Sequence, residues 1–156
     1  MVFLEQWYEV ILIAHLLLTF SLAGASMHHF LRILDYIRGK FGREKVEKRF
    51  QTWTFWSYLL VYVSGALIYP AFGAYIRAPF FDEKLPWATG LFEVKEHWGA
   101  IAMAMLAAMY VFRRSFLPSS EREKLWLYIP VTVLINIIIW YKIIVGALLS
   151  ILKGSW

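Results

Sequence analysis

The chain has 156 residues, of which 60% are hydrophobic and 19% aromatic, and its formal net charge is +5. A mean hydropathy of +0.56 is far more apolar than a soluble domain of this size can bury in one core, so the composition argues against that class. The absence of cysteine excludes disulfides, thiolate metal sites, iron–sulfur clusters and thiol catalysis. We interpret the positive charge as membrane topology and attraction to anionic lipid rather than nucleic-acid binding.

Four apolar stretches approach or exceed the ~20 residues that cross a bilayer as a helix. They cover residues 7–27, 53–71, 92–112 and 125–152. The sequence shows no internal repeat, low-complexity tract or domain linker. It therefore predicts an all-α protein in which residues 1–156 form a single integral membrane domain, a four-helix bundle.

Basic residues are concentrated in the connections that follow the first and third spans. The bias of short loops toward Lys and Arg on the cytoplasmic side predicts that both connections are cytoplasmic. We expect a multi-pass protein of a bacterial-type inner (cytoplasmic) membrane, with both termini outside. The basic residues are Arg32, Arg38, Lys40, Arg43, Lys45, Lys48 and Arg49 in the first group and Arg113, Arg114, Arg122 and Lys124 in the second.

Two connecting segments have patterns of their own. Residues 30–50 place apolar side chains at helical spacing between basic ones, which predicts an amphipathic cytoplasmic helix that extends from the first span and is interrupted near Gly39 and Gly42. Residues 69–87 contain prolines among many aromatic residues, so we expect an outer loop that is not a continuous helix. This aromatic loop would be either a lid over the outer mouth or a belt at the membrane interface.

Two histidines stand in or beside the apolar spans near the predicted outer end. His15 follows Glu9 by about 9 Å along a helix, and His97 begins the apolar part of the third span. Histidines on separate membrane helices at matched depth are what axial ligation of a b-type haem requires. The sequence predicts His15 and His97 as axial ligands of haem iron. The alternative is that both are core residues that only form hydrogen bonds.

Lys142 is an ionisable group within an apolar span, where an unpaired charge is costly. Glu96 is its predicted partner, with Glu9 and Glu93 as alternatives. We select Glu96, Lys142 and Lys95 as candidate catalytic residues, because the lysines would attract anionic groups and Glu96 would accept a proton.

His28 and His29 follow the first span beside Arg32. We expect both histidines to be solvated or in contact with lipid. A second haem there would need Met109, a ligand from another subunit or a vacant position.

The first span reads IAHLLLTFSLAGASMHHFLR, the second is preceded by VEKRF, and the third begins with FEVK. Over roughly residues 8 to 113 this pattern resembles the HemJ-type protoporphyrinogen oxidases, and more loosely the copper-resistance D type of four-helix membrane protein. The HemJ resemblance implies haem b bound through His15, functional weight on Arg32 and Lys95, and oxidation of protoporphyrinogen to protoporphyrin. The aromatic outer loop, Glu96, His97 and Lys142 depart from the family pattern.

Three functions are therefore open. The first is a b-type haem-binding membrane oxidoreductase that exchanges electrons with a porphyrinogen or a quinone, with Arg32, His15 and His97 on the cofactor. The second is a non-catalytic subunit that anchors a larger respiratory or transport complex or a homo-oligomer. The third is a small proton-coupled transporter in which Lys142, Glu96 and His97 form a relay.

Overall fold

Long helices make up most of the chain. The computed structural model describes residues 2–154, and no β-strand occurs within that range. The four main helices are α1 (Tyr8–Ile37), α2 (Glu44–Phe72), α3 (Pro86–Phe112) and α4 (Leu125–Gly154). Short 3-10 turns cover Glu5–Trp7, Arg113–Ser115 and Arg122–Lys124, and a π-helical segment covers Gly73–Asp82. The all-α prediction is confirmed for the described residues.

The helices alternate in direction, which gives the molecule two distinct ends. The basic end is formed by the connections at residues 38–43 and 113–124, and the aromatic end by residues 69–87 together with the first residues of α1 and the last of α4. α1 contacts α2 and α4, and α3 contacts α4 and α2. As a result α2 and α4 run parallel and face each other across the interior.

Apolar side chains from all four main helices share one core. Leu22 and Ile33 of α1, Leu106 of α3 and Ile135 and Ile139 of α4 are all buried in it. A second apolar group lies at the aromatic end, where Ile76 and Phe81 of the π-helical segment pack with residues of α3 and α4. The aromatic segment therefore covers this end of the core, as a lid would.

α1 continues well past the predicted span and stops at Gly39. The Gly39 amide donates to the Tyr36 carbonyl at 3.0 Å and the Lys40 amide to the Asp35 carbonyl at 2.8 Å, the Schellman pattern of a helix end. Gly39 has φ of +71°, which residues with a side chain seldom adopt. The helix predicted to extend from the first span and to be interrupted near Gly39 and Gly42 agrees with the structure, in which residues 38–43 separate the end of α1 from the start of α2.

The outer loop predicted over residues 69–87 is mostly helical, and the helix is interrupted only at Leu85, directly before α3. α2 contains Pro70 and passes directly into the π-helical segment, which contains Pro79. A proline lacks one donor and clashes with the carbonyl four residues earlier. In a π-helix each backbone amide bonds to the carbonyl five residues earlier and the turn is wider, so the helix continues past Pro79. Pro86 stands at the first turn of α3, where proline is favoured.

Three of the main helices are long and apolar enough to cross a membrane: α1 with its preceding turn, α2 with the π-helical segment, and α4 with its preceding turn. α3 is long enough to cross a membrane, but its most apolar stretch is less apolar than those of the other three helices. Any stretch of α3 long enough to cross a bilayer contains Lys95, Glu96 and His97, which lower its mean hydropathy.

Substitution of Gly39 by Ala should destabilise the protein by about 1–2 kcal/mol, because a Cβ disfavours the left-handed conformation at this position. Gly42→Ala is the matched control, since Gly42 lies in the same connection without a positive φ and with open space where a Cβ would be. The free energy of unfolding in detergent checks the difference. Equal stability of the two variants would contradict the assigned helix end.

Candidate functional site

Glu47 is completely buried at the basic end, where the four helices meet. Its Oε2 accepts hydrogen bonds from Arg113 Nε at 2.7 Å and from the Tyr36 hydroxyl at 3.1 Å. Its Oε1 accepts from the Tyr128 hydroxyl, and His29 Nε2 lies 3.2 Å from the same oxygen and 3.0 Å from Tyr128. We call these five residues the Glu47 cluster. α1, α2 and α4 each contribute to it, and Arg113 comes directly after α3.

The Glu47 cluster satisfies the conditions under which a buried ion pair persists. Removing two charges from water costs several kcal/mol per ion unless hydrogen bonds satisfy the remaining donors and acceptors. Arg113 also donates to the Phe116 carbonyl at 3.1 Å and lies over the Phe116 ring. Burial lowers the pKa of Arg113, but the Glu47 carboxylate more than offsets this, so the pKa stays above its ordinary value. Arg113 therefore carries its charge at every physiological pH.

His29 has one engaged and one free ring nitrogen. Nε2 faces the Glu47 carboxylate, which favours the tautomer with the proton on that nitrogen. Nδ1 is buried and has no hydrogen-bond partner within the described part of the chain. A neutral imidazole in this position can accept a proton at Nδ1 while the proton on Nε2 is donated to the carboxylate.

Buried polar residues continue from the Glu47 cluster toward the aromatic end. On α2 they are Gln51 and Tyr58, and on α4 they are Thr132 and Asn136. Gln51 Nε2 donates to the Met109 carbonyl at 2.7 Å, and Asn136 Nδ2 to the Thr132 carbonyl at 3.0 Å. Gln51 Oε1, Thr132 Oγ1 and Asn136 Oδ1 are buried without a partner among residues 2–154.

Lys142 and Tyr58 make the second contact between α2 and α4, at the other end of this polar stretch. Lys142 Nζ donates to the Tyr58 hydroxyl at 3.3 Å, and that hydroxyl donates to the Gly99 carbonyl at 2.8 Å. A Cβ on Gly99 would lie 2.2 Å from Lys142 Nζ, so the lysine occupies the space that a side chain on Gly99 would fill. We call the Glu47 cluster, Gln51, Thr132, Asn136, Tyr58 and Lys142 together the polar column.

The structure gives Lys142 a partner that was not predicted. Glu96, the predicted partner, instead accepts from Lys95 Nζ at 2.9 Å, and this pair is partly exposed. Glu93, an alternative, pairs with Arg77 at 2.6 Å. Glu9 is exposed. Lys95 lies over the Phe92 ring and beside Gly146 of α4, so it is close to the column without belonging to it.

His15 and His97 contact different groups. His15 lies against α2, with Nδ1 2.9 Å from Ser64 Oγ and Cε1 3.3 Å from the position of a Cβ on Gly65. His97 is exposed, and its Nδ1 donates to the Glu93 carbonyl of its own helix at 2.8 Å. Axial ligation of one haem by this pair stays a prediction. Haem binding through His15 stays a prediction, which a reduced-minus-oxidised absorption spectrum of wild type and His15→Ala tests.

The remaining predicted positions lie at the basic end. Arg32 pairs with Asp35 at 2.7 Å one turn along α1. His28 is exposed and stacks on Phe50, with ring centroids 4.8 Å apart, which agrees with lipid or solvent contact. His29 was expected to be similar, but only 2% of it is exposed. One step along a helix turns a side chain by about 100°, which carries His29 into the core.

The Glu47 cluster was not identified from the sequence. Glu47 and Arg113 stand in charged stretches that are typical of solvated loops, and their burial depends on the meeting of all four helices. One signal was available in the spacing of polar residues. In α2 they recur at intervals of four, three and four residues, at Glu47, Gln51, Thr54 and Tyr58. In α4 they recur every four residues, at Tyr128, Thr132 and Asn136. Two polar stripes at helical spacing in apolar helices indicate a polar interior.

Comparison of the chain with protein-family models, with curated proteins and with solved structures finds no match.

Glu47→Gln should destabilise the protein by about 3–5 kcal/mol, because it leaves the buried Arg113 cation without its counter-charge. Glu47→Gln/Arg113→Met removes both charges and should recover part of that loss. Glu123→Gln, at an exposed position, is the control and should change stability by at most about 0.5 kcal/mol. Unfolding in detergent measures all three. A Glu47→Gln variant as stable as wild type would show that Arg113 is not a buried cation.

Proposed function

We propose that the chain is an integral membrane protein that crosses the bilayer with all four main helices and conducts protons along the polar column. Protons would pass between Lys142, which lies beside the midpoints of α2 and α3, and the Glu47 cluster at the basic end. The observation that carries the proposal is the set of buried polar oxygens that have no partner within residues 2–154. They lie between a buried contact and a partly buried one, each of which joins α2 to α4. Of the three functions that the sequence leaves open, this proposal corresponds to the third, the proton-coupled one.

Membrane insertion is supported by the apolar side chains that the helices present outward. Large side chains on the outer faces of α1, α2 and α4 are about half exposed or more, and in water this surface would lead to aggregation. In a bilayer the same surface contacts lipid. Examples are Ile13, Leu17 and Phe20 on α1, Trp53 and Trp56 on α2, and Ile137, Ile144 and Ile151 on α4.

The crossing of α3 is supported by its place among the other helices. Its buried side chains Ala102, Leu106 and Met109 belong to the shared core, and its charged segment at residues 93–97 lies on the aromatic side of these residues. α3 therefore needs less apolar surface of its own. The two basic connections support a topology with the basic end in the cytoplasm and the termini outside.

Proton conduction requires acceptors within hydrogen-bond distance of one another or joined by water. Buried polar atoms ordinarily bond to protein or to ordered water. The free oxygens of Gln51, Thr132 and Asn136 suit a short file of internal water between the two contacts. Over Glu47 to Tyr58 the file would bridge about 16 Å, the rise of eleven helical residues.

At the basic end, His29 and Glu47 would complete the transfer. A proton arriving along the column binds the free Nδ1 lone pair of His29, and the proton on Nε2 passes to Glu47 Oε1, so the imidazole is neutral before and after. The carboxyl then releases the proton toward the cytoplasmic side, and Arg113 stabilises the carboxylate that remains. After this transfer the proton is on Nδ1 and the lone pair is on Nε2, so the ring must rotate before it can accept the next proton from the column.

Gly99→Ala should reduce proton flux by about tenfold or more, because the added methyl group displaces the Lys142 ammonium from Tyr58. Lys142 is a flexible side chain and Ala favours helix by about 1 kcal/mol, so stability should not fall. Gly90→Ala, also on α3 and with open space at its Cβ, is the matched control. Flux is measured in liposomes with an entrapped pH-sensitive dye under an imposed potassium diffusion potential.

Two outcomes would contradict the proposal. Wild-type protein that conducts no more than empty liposomes would support a purely structural membrane subunit, in which the Glu47 cluster serves only to hold the helices together. Gly99→Ala that conducts as wild type would show that protons do not pass through the Lys142 and Tyr58 contact.

A further inference from the structure

A groove on the outer surface between α1 and α2 is separate from the polar column. It has a volume of about 330 Å³ and is lined by Phe20, Gly24, His28, Phe50 and Trp53, among others. We call it the α1–α2 groove. Phe50 stacks between His28 and Trp53, with centroid distances of 4.8 and 6.1 Å, so one wall is a ladder of three rings.

The walls of the α1–α2 groove are fixed by contacts within the protein. Trp53 Nε1 donates to Ser21 Oγ at 2.9 Å, and His28 Nδ1 bonds to the Gly24 carbonyl at 2.9 Å. At Gly24 a Cβ would meet no atom within 4 Å, so the absent side chain leaves the floor open. Phe20 to His28 spans about 12 Å along α1, close to the ~15 Å depth of one hydrocarbon leaflet.

Three cations lie where the α1–α2 groove reaches the basic end. Lys45, Lys48 and Arg49 line a second open cavity of about 450 Å³, which Trp53 shares with the groove. All three are exposed, and within residues 2–154 their side chains make no hydrogen bond or ion pair. A cluster of unpaired positive charge therefore adjoins an apolar slot.

We propose that the α1–α2 groove and the three cations bind one anionic phospholipid of the cytoplasmic leaflet. The cations contact its phosphate and the aromatic ladder packs along one acyl chain. This rests on the membrane insertion proposed above but not on proton conduction. Charge complementarity selects this ligand, because each cation near a lipid surface favours anionic over zwitterionic headgroups. A neutral occupant such as a quinone would leave the cations unused.

The test is native mass spectrometry of the full chain in detergent with equal amounts of phosphatidylglycerol and phosphatidylcholine. Wild type should retain one phosphatidylglycerol with a preference of about tenfold or more. K45Q/K48Q/R49Q should lose the preference, whereas R38Q/K40Q/R43Q, which removes the same charge from the neighbouring connection, should keep it. Gly24→Leu has open space at its Cβ and places a side chain in the groove, so it should reduce occupancy by both lipids.

Each contrary outcome is informative. Equal loss of preference in the two triple variants would mean that net charge alone attracts the lipid, and unchanged occupancy in Gly24→Leu would mean that no chain lies in the groove. The groove would belong to another occupant if an equimolar short-chain quinone displaced the lipid. The same conclusion would follow if the protein retained a second copy of itself that Gly24→Leu releases. Extraction of native membranes with alkaline carbonate tests insertion separately, so failure at the groove is distinguishable from failure of the proposed function.

Discussion

The fold depends on the neutralisation of one buried carboxylate. Glu47 cannot remain ionised inside an apolar helix assembly unless a cation and several donors surround it, and Arg113, Tyr36 and Tyr128 supply them. These partners come from every part of the chain, so the helices can satisfy Glu47 only when all four are in place. The cost of leaving a member out makes the cluster a determinant of helix arrangement as well as the site at which we propose that protons are exchanged.

A small residue has a similar role at the other end of the column. Lys142 is accommodated because Gly99 has no side chain, and the ammonium then lies on Tyr58 rather than on a carboxylate. An ammonium whose nearest partner is a neutral hydroxyl is held less firmly than one in an ion pair. The column thus joins a tightly paired site at the basic end to a loosely paired one near the middle of the helices, an asymmetry suited to movement of a proton between them.

Helix number and approximate bounds could be predicted because they follow from apolar runs and charge, which are local properties. The end of α1 at Gly39 was also readable, since a glycine there permits the positive φ of a Schellman motif. The π-helical segment was not, because proline and aromatic residues indicate a loop unless packing against α3 and α4 overrides local preference. Glu47, Arg113 and the Lys142 contact depend on which residues meet across the core, information that one sequence does not contain in any single stretch.

The most direct measurement is the reactivity of single cysteines in this naturally cysteine-free chain toward a small water-soluble thiol reagent. The account predicts that Thr132→Cys and Asn136→Cys react in membranes, because the column is hydrated, and that Leu134→Cys, on the lipid-facing side of the same helix, does not. Ser119→Cys, exposed at the basic end, sets the rate for free access. Unreactive cysteines at both 132 and 136 beside a reactive one at 119 would contradict a water-filled polar column.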